Sequence, residues 1–234
     1  MEIGRILYDL SVMAVPVIVA ITFHEAAHGF VAWKLGDDTA LQLGRVSFNP
    51  IRHIDPTGTI VLPALLMHFN SPFLFGWAKP VPVNFGRLRR PKQDMVWVAL
   101  AGPGINIALA LLSALLVRLV DEVPDLAYSW WDGALRISID INIMLAVFNM
   151  LPIPPLDGGR VMVGLLPVPL AVRFARLERV GMMVLLLGFL ILPVIGSQTG
   201  QKLDVFSSLI SPLVNWTSNG ICGLFGLHPH FGGT

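Results

Sequence analysis

The residues best suited to chemistry in this chain are His24-Glu25-Ala26-Ala27-His28. Side chains four apart on a helix stand on one face, so the two imidazoles can share one metal ion. Glu25, between them in sequence, can accept a proton from a water molecule that the metal polarises. A catalytic zinc usually takes three protein donors and keeps a fourth position for water or substrate, so two histidines leave it one donor short. The single cysteine, Cys222, excludes an intrachain disulfide and a thiolate cluster. The third donor must therefore come from His53, His68, Asp55, Asp157, Glu178, His228 or His230. Asp157 is the first choice. It follows the run Asn149-Met150-Leu151-Pro152-Ile153-Pro154-Pro155-Leu156 and precedes Gly158-Gly159. The prolines end a helix near Leu151, and the glycines let the backbone approach a neighbour closely. Taken alone, the segment reads equally well as a proline–glycine turn with a capping aspartate; the incomplete metal site favours ligation.

The elements that must carry these residues are membrane helices. Of the 234 residues, 54% are hydrophobic and only 13% charged, with a mean hydropathy of +0.70. A soluble domain is roughly 25% charged. No Asp, Glu, Lys or Arg occurs in Leu10–His24, Pro56–Ala78, Met95–Val117, Ile141–Leu156, Val180–Gln201 or Val205–Thr234. A spanning helix needs about 20 mostly apolar residues, so the expected fold is an all-α polytopic membrane protein. Net charge is +1, which offers no global field for nucleic acid, and no nucleic-acid partner is expected. Ile6–Lys34 reads as a retained first span, not a cleaved signal peptide, ending at Gly36-Asp37-Asp38. A charged residue within a span costs about 2.5–3.5 kcal/mol, so the polar cluster there needs a function. Gly58–Phe69 is too short to cross and reads as a re-entrant helix. Met95–Val120, Ala134–Leu151 and Val180–Ile195 are further helices. Val205–Leu227, with a stripe at Phe206, Leu209, Ile210 and Leu213, is either interfacial or a last span. The alternation in Leu41–His53 predicts a short strand and turn, and Pro80 and Pro82 place Gly76–Gly86 at a sheet edge.

Topology constrains the pairing of His28 with Asp157. If Gly58–Phe69 only re-enters, the inner end of the first span and the turn after Leu151 lie on the same face; if it crosses, they do not. In the re-entrant arrangement that face carries Lys34, Arg45, Arg52, Lys79, Arg87, Arg89, Arg90, Lys92, Arg160, Arg173, Arg176 and Arg179, against Arg5, Arg118, Arg136 and Lys202 on the other. The basic face is the cytoplasmic one. His24 is ten residues before Lys34, about 15 Å along a helix, which sets the metal below the headgroups on the cytoplasmic side.

Together these motifs resemble the site-2 protease family of intramembrane zinc metalloproteases. HExxH stands in the first span at His24–His28, GPxxN in a middle span at Gly102–Asn106, and NxxPxPxxDGG after a later span at Asn149–Gly159. Gly76-Trp77-Ala78-Lys79-Pro80-Val81-Pro82-Val83-Asn84 is similar to the compact prokaryotic branch, which carries neither a PDZ nor a CBS domain. The resemblance implies one Zn²⁺ per chain held by His24, His28 and Asp157, with Glu25 as catalytic base. It implies that Asn149 helps orient the scissile peptide or its oxyanion and that Asn106 sits close to the site. It also implies a core of three transmembrane helices carrying the zinc, further helices, and a short membrane-associated β-hairpin or strand region. One integral membrane domain over 1–234 is expected, with the motifs in 1–160 and C-terminal helices in 161–234. The implied activity is hydrolysis of a peptide bond within or near a transmembrane segment of another protein, in the plasma (inner) membrane. An edge strand near Val81 or Val46 could pair with the unwound substrate; a gating partner and the oligomeric state are not indicated. The rival readings are a metal-ion transporter, which would also bury His and Asp, and a non-catalytic zinc scaffold, whose sites are usually closed by four ligands.

Overall fold

The computed structural model describes residues 2–61, 64–65, 78–120, 125–192, 195–196 and 206–229. Three long helices dominate: α1 (Glu2–Lys34), α2 (Pro91–Val117) and α3 (Asp125–Asn149). Each packs on both of the others. Helix α1 carries Pro16 in its interior, which membrane helices tolerate where neighbours satisfy the freed carbonyl. It ends where Gly36 takes φ +115°, letting the Asp37 N–H close onto the Ala32 carbonyl at 2.9 Å. Helix α2 opens on Pro91, where a missing N–H costs nothing.

The portion of α1 from Leu7 and the whole of α2 are long and apolar enough to cross a membrane. Their exposed side chains include Leu10, Met13, Ile18 and Trp33 on α1 and Trp97, Leu112 and Leu115 on α2. Polar side chains sit inside: Thr22, Asn106, Ser113 and Asn142 are buried. A soluble protein would reverse this distribution, whereas lipid rewards it. The helices meet through small residues, among them Ala20, Ala26, Ala99, Gly102, Ala110, Ala114 and Ala146, which let backbones come close enough for polar side chains to reach across.

Among the described residues, four shorter helices follow: α4 (Asp157–Leu165), α5 (Val168–Ala175), α6 (Glu178–Leu186) and α7 (Ser211–Leu224). Helix α4 packs on α2, and α7 packs on α2 and α3. The region expected as one span over 180–195 is α6 followed by the wider helical turn Leu187–Ile191. In the C-terminal segment the buried stripe is Ile210, Val214, Ser218, Ile221 and Cys222, while Leu209 and Leu213 face outward. Ile210, Val214, Ile221 and Cys222 pack on the core of α2 and α3, which leaves Leu209 and Leu213 of the apolar stripe on the outer face. Of the proposed re-entrant segment 58–69, helical turns cover Pro56–Val61, and 62–63 and 66–69 lie outside the described residues.

The expected β region does not form among the described residues. Leu41–Gln42 complete a helical turn, Thr39–Gln42, and Pro50–His53 form a 3₁₀ turn. Ala78–Asn84 has no regular secondary structure and pairs with no strand among the described residues. Its backbone is satisfied largely by side chains. Arg45 Nη2 donates to the Lys79 carbonyl at 2.6 Å, and the Val81 and Asn84 N–H groups donate to Glu25 Oε2 at 2.7 Å and Asp37 Oδ2 at 2.6 Å. Pro80 and Pro82 supply no N–H, so a ladder would have had few donors left.

Candidate metal centre

Helical spacing brings the two imidazoles together: His24 Nε2 and His28 Nε2 are 3.1 Å apart, and both rings are buried. Helix α2 crosses directly over them at Gly102. A Cβ built there would fall 2.5 Å from His24 Cε1, 2.6 Å from His24 Nε2 and closer still to His28 Nε2. Only glycine leaves that space open.

The other ring nitrogens are committed. His28 Nδ1 lies 2.7 Å from the Val98 carbonyl, so it donates. His24 Nδ1 lies 2.5 Å from Asn106 Oδ1 and donates likewise. Both rings then carry their proton on Nδ1 and turn an Nε2 lone pair toward the same point, the arrangement of metal-ligating histidine with an outer partner fixing the tautomer.

Asp157 completes the triangle from a distant part of the sequence. Helix α3 stops at Asn149, and the proline-rich turn is tightened by Leu151 N–H to Phe148 O at 3.1 Å and Leu156 N–H to Ile153 O at 2.9 Å. Asp157 then opens α4. A side chain on Gly158 would collide with the Met150 and Leu151 carbonyls, and one on Gly159 would stand 2.5 Å from Pro154 N. The two glycines let α4 start folded back against the turn. Asp157 Oδ2 lies 3.2 Å from each Nε2.

Those three donor atoms form a nearly equilateral triangle with sides of 3.1, 3.2 and 3.2 Å. A tetrahedron with bonds of about 2.0–2.1 Å has edges of about 3.3 Å, so the triangle matches one face of a zinc site. Asp157 Oδ2 is buried and has no hydrogen-bond partner. A buried carboxylate oxygen in that state costs stability unless a cation sits with it. The donor set therefore fits a metal, and it is the one such group among the described residues.

The remaining candidates stand elsewhere. The His53 ring bonds the Ser47 carbonyl at 2.9 Å, Asp55 accepts from Gly58 N–H at 2.7 Å, and Glu178 and His228 are exposed. His68 and His230 lie outside the described residues. Glu25 is half-buried beside the pair and accepts the Val81 N–H. Asn149 donates to the Leu145 carbonyl of its own helix at 3.0 Å, and no contact links it to the triangle. Sequence reasoning placed Asn106 near the site but missed Asn142, which accepts from Asn106 Nδ2 at 2.7 Å. The only signal for Asn142 is an amide inside the charge-free run Ile141–Leu156, which also holds Asn149.

Residues 125–192, which include Asn149 and Asp157, match the model of peptidase family M50. Over 221 residues the chain is 35% identical to YwhC of Bacillus subtilis strain 168, which is named as a candidate zinc metalloprotease, covering 88% of this chain and 97% of that protein. The chain belongs to peptidase family M50, the site-2 proteases. Another relative in the family, Rip2 of Mycobacterium tuberculosis strain H37Rv, is 33% identical over 141 residues, 60% of this chain and 52% of Rip2. MJ0611 of Methanocaldococcus jannaschii is 46% identical over 65 residues, 28% of this chain and 31% of that protein. Both bear the same candidate name. No solved structure gives a significant match. M50 membership makes this chain a membrane-associated zinc metalloendopeptidase, with His24, His28 and Asp157 the group that could hold its zinc.

Proposed function

We propose that the chain is a multi-pass intramembrane endopeptidase that cuts a peptide bond within or near a transmembrane segment of another membrane protein. The observation that carries the proposal is the buried triangle of His24, His28 and Asp157 with Glu25 beside it, set between α1 and α2, both long and apolar enough to cross a membrane. His24, His28 and Asp157 would hold the zinc, and bound zinc supplies a Lewis acid that makes water nucleophilic near neutral pH. Glu25 takes the proton of the attacking water and returns it to the leaving amine, a role worth about 10²–10⁴-fold in rate. The Asn149 amide supplies a donor to the developing oxyanion through the N–H not engaged with Leu145. The substrate helix must unwind to expose a peptide bond, and an extended peptide would meet Ala78–Asn84, whose Val81 N–H already holds Glu25.

The shared position of His28 and Asp157 supports a first span and an α3 end on the same face. The excess of basic residues on that face favours the cytoplasmic side of the plasma (inner) membrane. The substrate and the bilayer are the partners expected; nucleic acid is not one.

The test compares membranes containing the wild type with membranes containing Glu25→Gln. The variant should keep one zinc per chain while a transmembrane protein accumulates uncut. Cleavage at the wild-type rate in the variant would remove Glu25 from the mechanism. Zinc transport into vesicles without any cleavage by the wild type would point to a carrier instead.

A further inference from the structure

Beyond the three metal donors lies a line of buried amides with a direction. His24 Nδ1 donates to Asn106 Oδ1 at 2.5 Å. Asn106 Nδ2 donates to Asn142 Oδ1 at 2.7 Å and to the Ala20 carbonyl at 3.3 Å. Asn142 Nδ2 donates to the Ser138 carbonyl at 2.8 Å and approaches Ser138 Oγ at 3.3 Å. Ser138 Oγ in turn receives Ser113 Oγ at 2.8 Å. Asn106 and Asn142 are both wholly buried, so water cannot substitute for a lost partner.

An asparagine amide can turn over, exchanging its oxygen for its nitrogen. If Asn106 turned over, its NH₂ would face His24 Nδ1. That nitrogen would have to become the acceptor, the ring proton would move to Nε2, and His24 could no longer ligate. What holds Asn106 in the productive sense is an acceptor opposite its NH₂, chiefly Asn142 Oδ1. Asn142 could itself turn over, except that its own NH₂ faces a backbone carbonyl, which can only accept. The orientation of both amides, and with them the tautomer of His24, is thus anchored at the Ser138 carbonyl in α3.

We propose that Asn142 is a positioning residue that, through Asn106, keeps the proton of His24 on Nδ1 and so its Nε2 available to the metal. The inference rests on His24 being a ligand and adds a determinant in α3 that touches neither metal nor substrate. A purely structural Asn142 makes a different prediction. In an apolar interior, Asn142→Leu would then be tolerated better than Asn142→Asp, because leucine buries no ionisable group. A positioning Asn142 reverses that order, since a buried aspartate kept neutral donates its O–H to the Ser138 carbonyl and still accepts from Asn106 Nδ2, whereas leucine does neither.

The experiment measures zinc affinity by competition with a chromophoric chelator, using the full chain in lipid nanodiscs. Asn142→Leu should weaken zinc at least about tenfold, the lower end of what losing an outer partner costs. Asn142→Asp should stay within about threefold of the wild type, well inside that cost. In an Asn106→Asp background, a carboxylate accepts from His24 Nδ1 whichever way it faces, so adding Asn142→Leu should cost little more; the cycle is non-additive. Histidine-selective ¹⁵N spectra of the zinc-free Asn142→Leu protein should show His24 shifting toward the Nε2–H tautomer. The proposal is overturned if leucine is tolerated as well as aspartate, or if its cost is the same in the Asn106→Asp background. A wild type that binds no zinc would instead remove the metal-site reading on which the inference rests.

Discussion

Gly102→Ala adds one methyl group at the metal centre, and its consequence can be worked from the geometry. The new carbon would lie 2.5 Å from His24 Cε1 and 2.6 Å from His24 Nε2, with His28 Nε2 nearer still. Comfortable carbon contacts are about 3.5–4.0 Å, so the rings or α2 must withdraw by about 1 Å. Metal–ligand distances tolerate about 0.2 Å. A displacement several times larger than that should cost at least the roughly 100-fold at the top of the range for outer-partner loss, about 2.8 kcal/mol. Gly104→Ala, in the same stretch of α2, is the control, because nothing lies within 4 Å of its Cβ. The assay is zinc content per chain by atomic emission, with affinity by chelator competition and helix content by circular dichroism. Gly102→Ala should purify as a helical protein depleted of zinc, and Gly104→Ala should bind like the wild type. A Gly102→Ala protein holding one zinc with affinity within about threefold of wild type, less than even the smallest outer-partner effect, would show that the methyl does not enter the metal's space.

Three other outcomes follow from the same geometry. Asp157→Asn removes a buried carboxylate whose Oδ2 has no hydrogen-bond partner, so the zinc-free variant should melt no lower than the zinc-free wild type while zinc binding falls at least tenfold, measured by paired thermal scans and chelator competition. Stripping zinc from the wild type should lower its apparent melting temperature, and zinc at about 100 times its Kd should restore about 2.7 kcal/mol of stability, whereas magnesium should not. Gly181→Ala would drive a methyl into the Pro154 carbonyl of the turn before Asp157, so it should both destabilise the protein and loosen zinc. Gly188→Ala, whose Cβ meets nothing within 4 Å, should do neither.

The grouping of His24, His28 and Asp157 into a set that could hold a metal was largely legible before the structure, because it follows from local geometry. Two histidines four apart on a helix have to share a face, and a proline-rich run followed by two glycines has to turn sharply. The span composition likewise announced buried helices with apolar exteriors. The β region misled because alternation in 41–53 and prolines at 80 and 82 describe an extended chain without saying what will satisfy it; Glu25, Asp37 and Arg45 do so in place of a partner strand. Which residues of α7 pack inward was not readable, because the neighbouring helices decide it. Asn142 was invisible for a related reason. Its meaning depends on Asn106 standing opposite, 36 residues away in sequence, a relation that periodicity within one helix cannot express.

The central claim is that one zinc is held by His24 and His28 through Nε2 and by Asp157 through a carboxylate oxygen. X-ray absorption at the zinc edge on purified protein in nanodiscs tests it most directly. One zinc per chain in a shell of nitrogen and oxygen at about 2.0–2.2 Å, with imidazole scattering from two rings, is the expected result, and Asp157→Ala should lose the zinc or change that shell. A spectrum with a sulfur neighbour, which only Cys222 or methionine could supply, or a zinc shell unaltered by loss of Asp157, would contradict it.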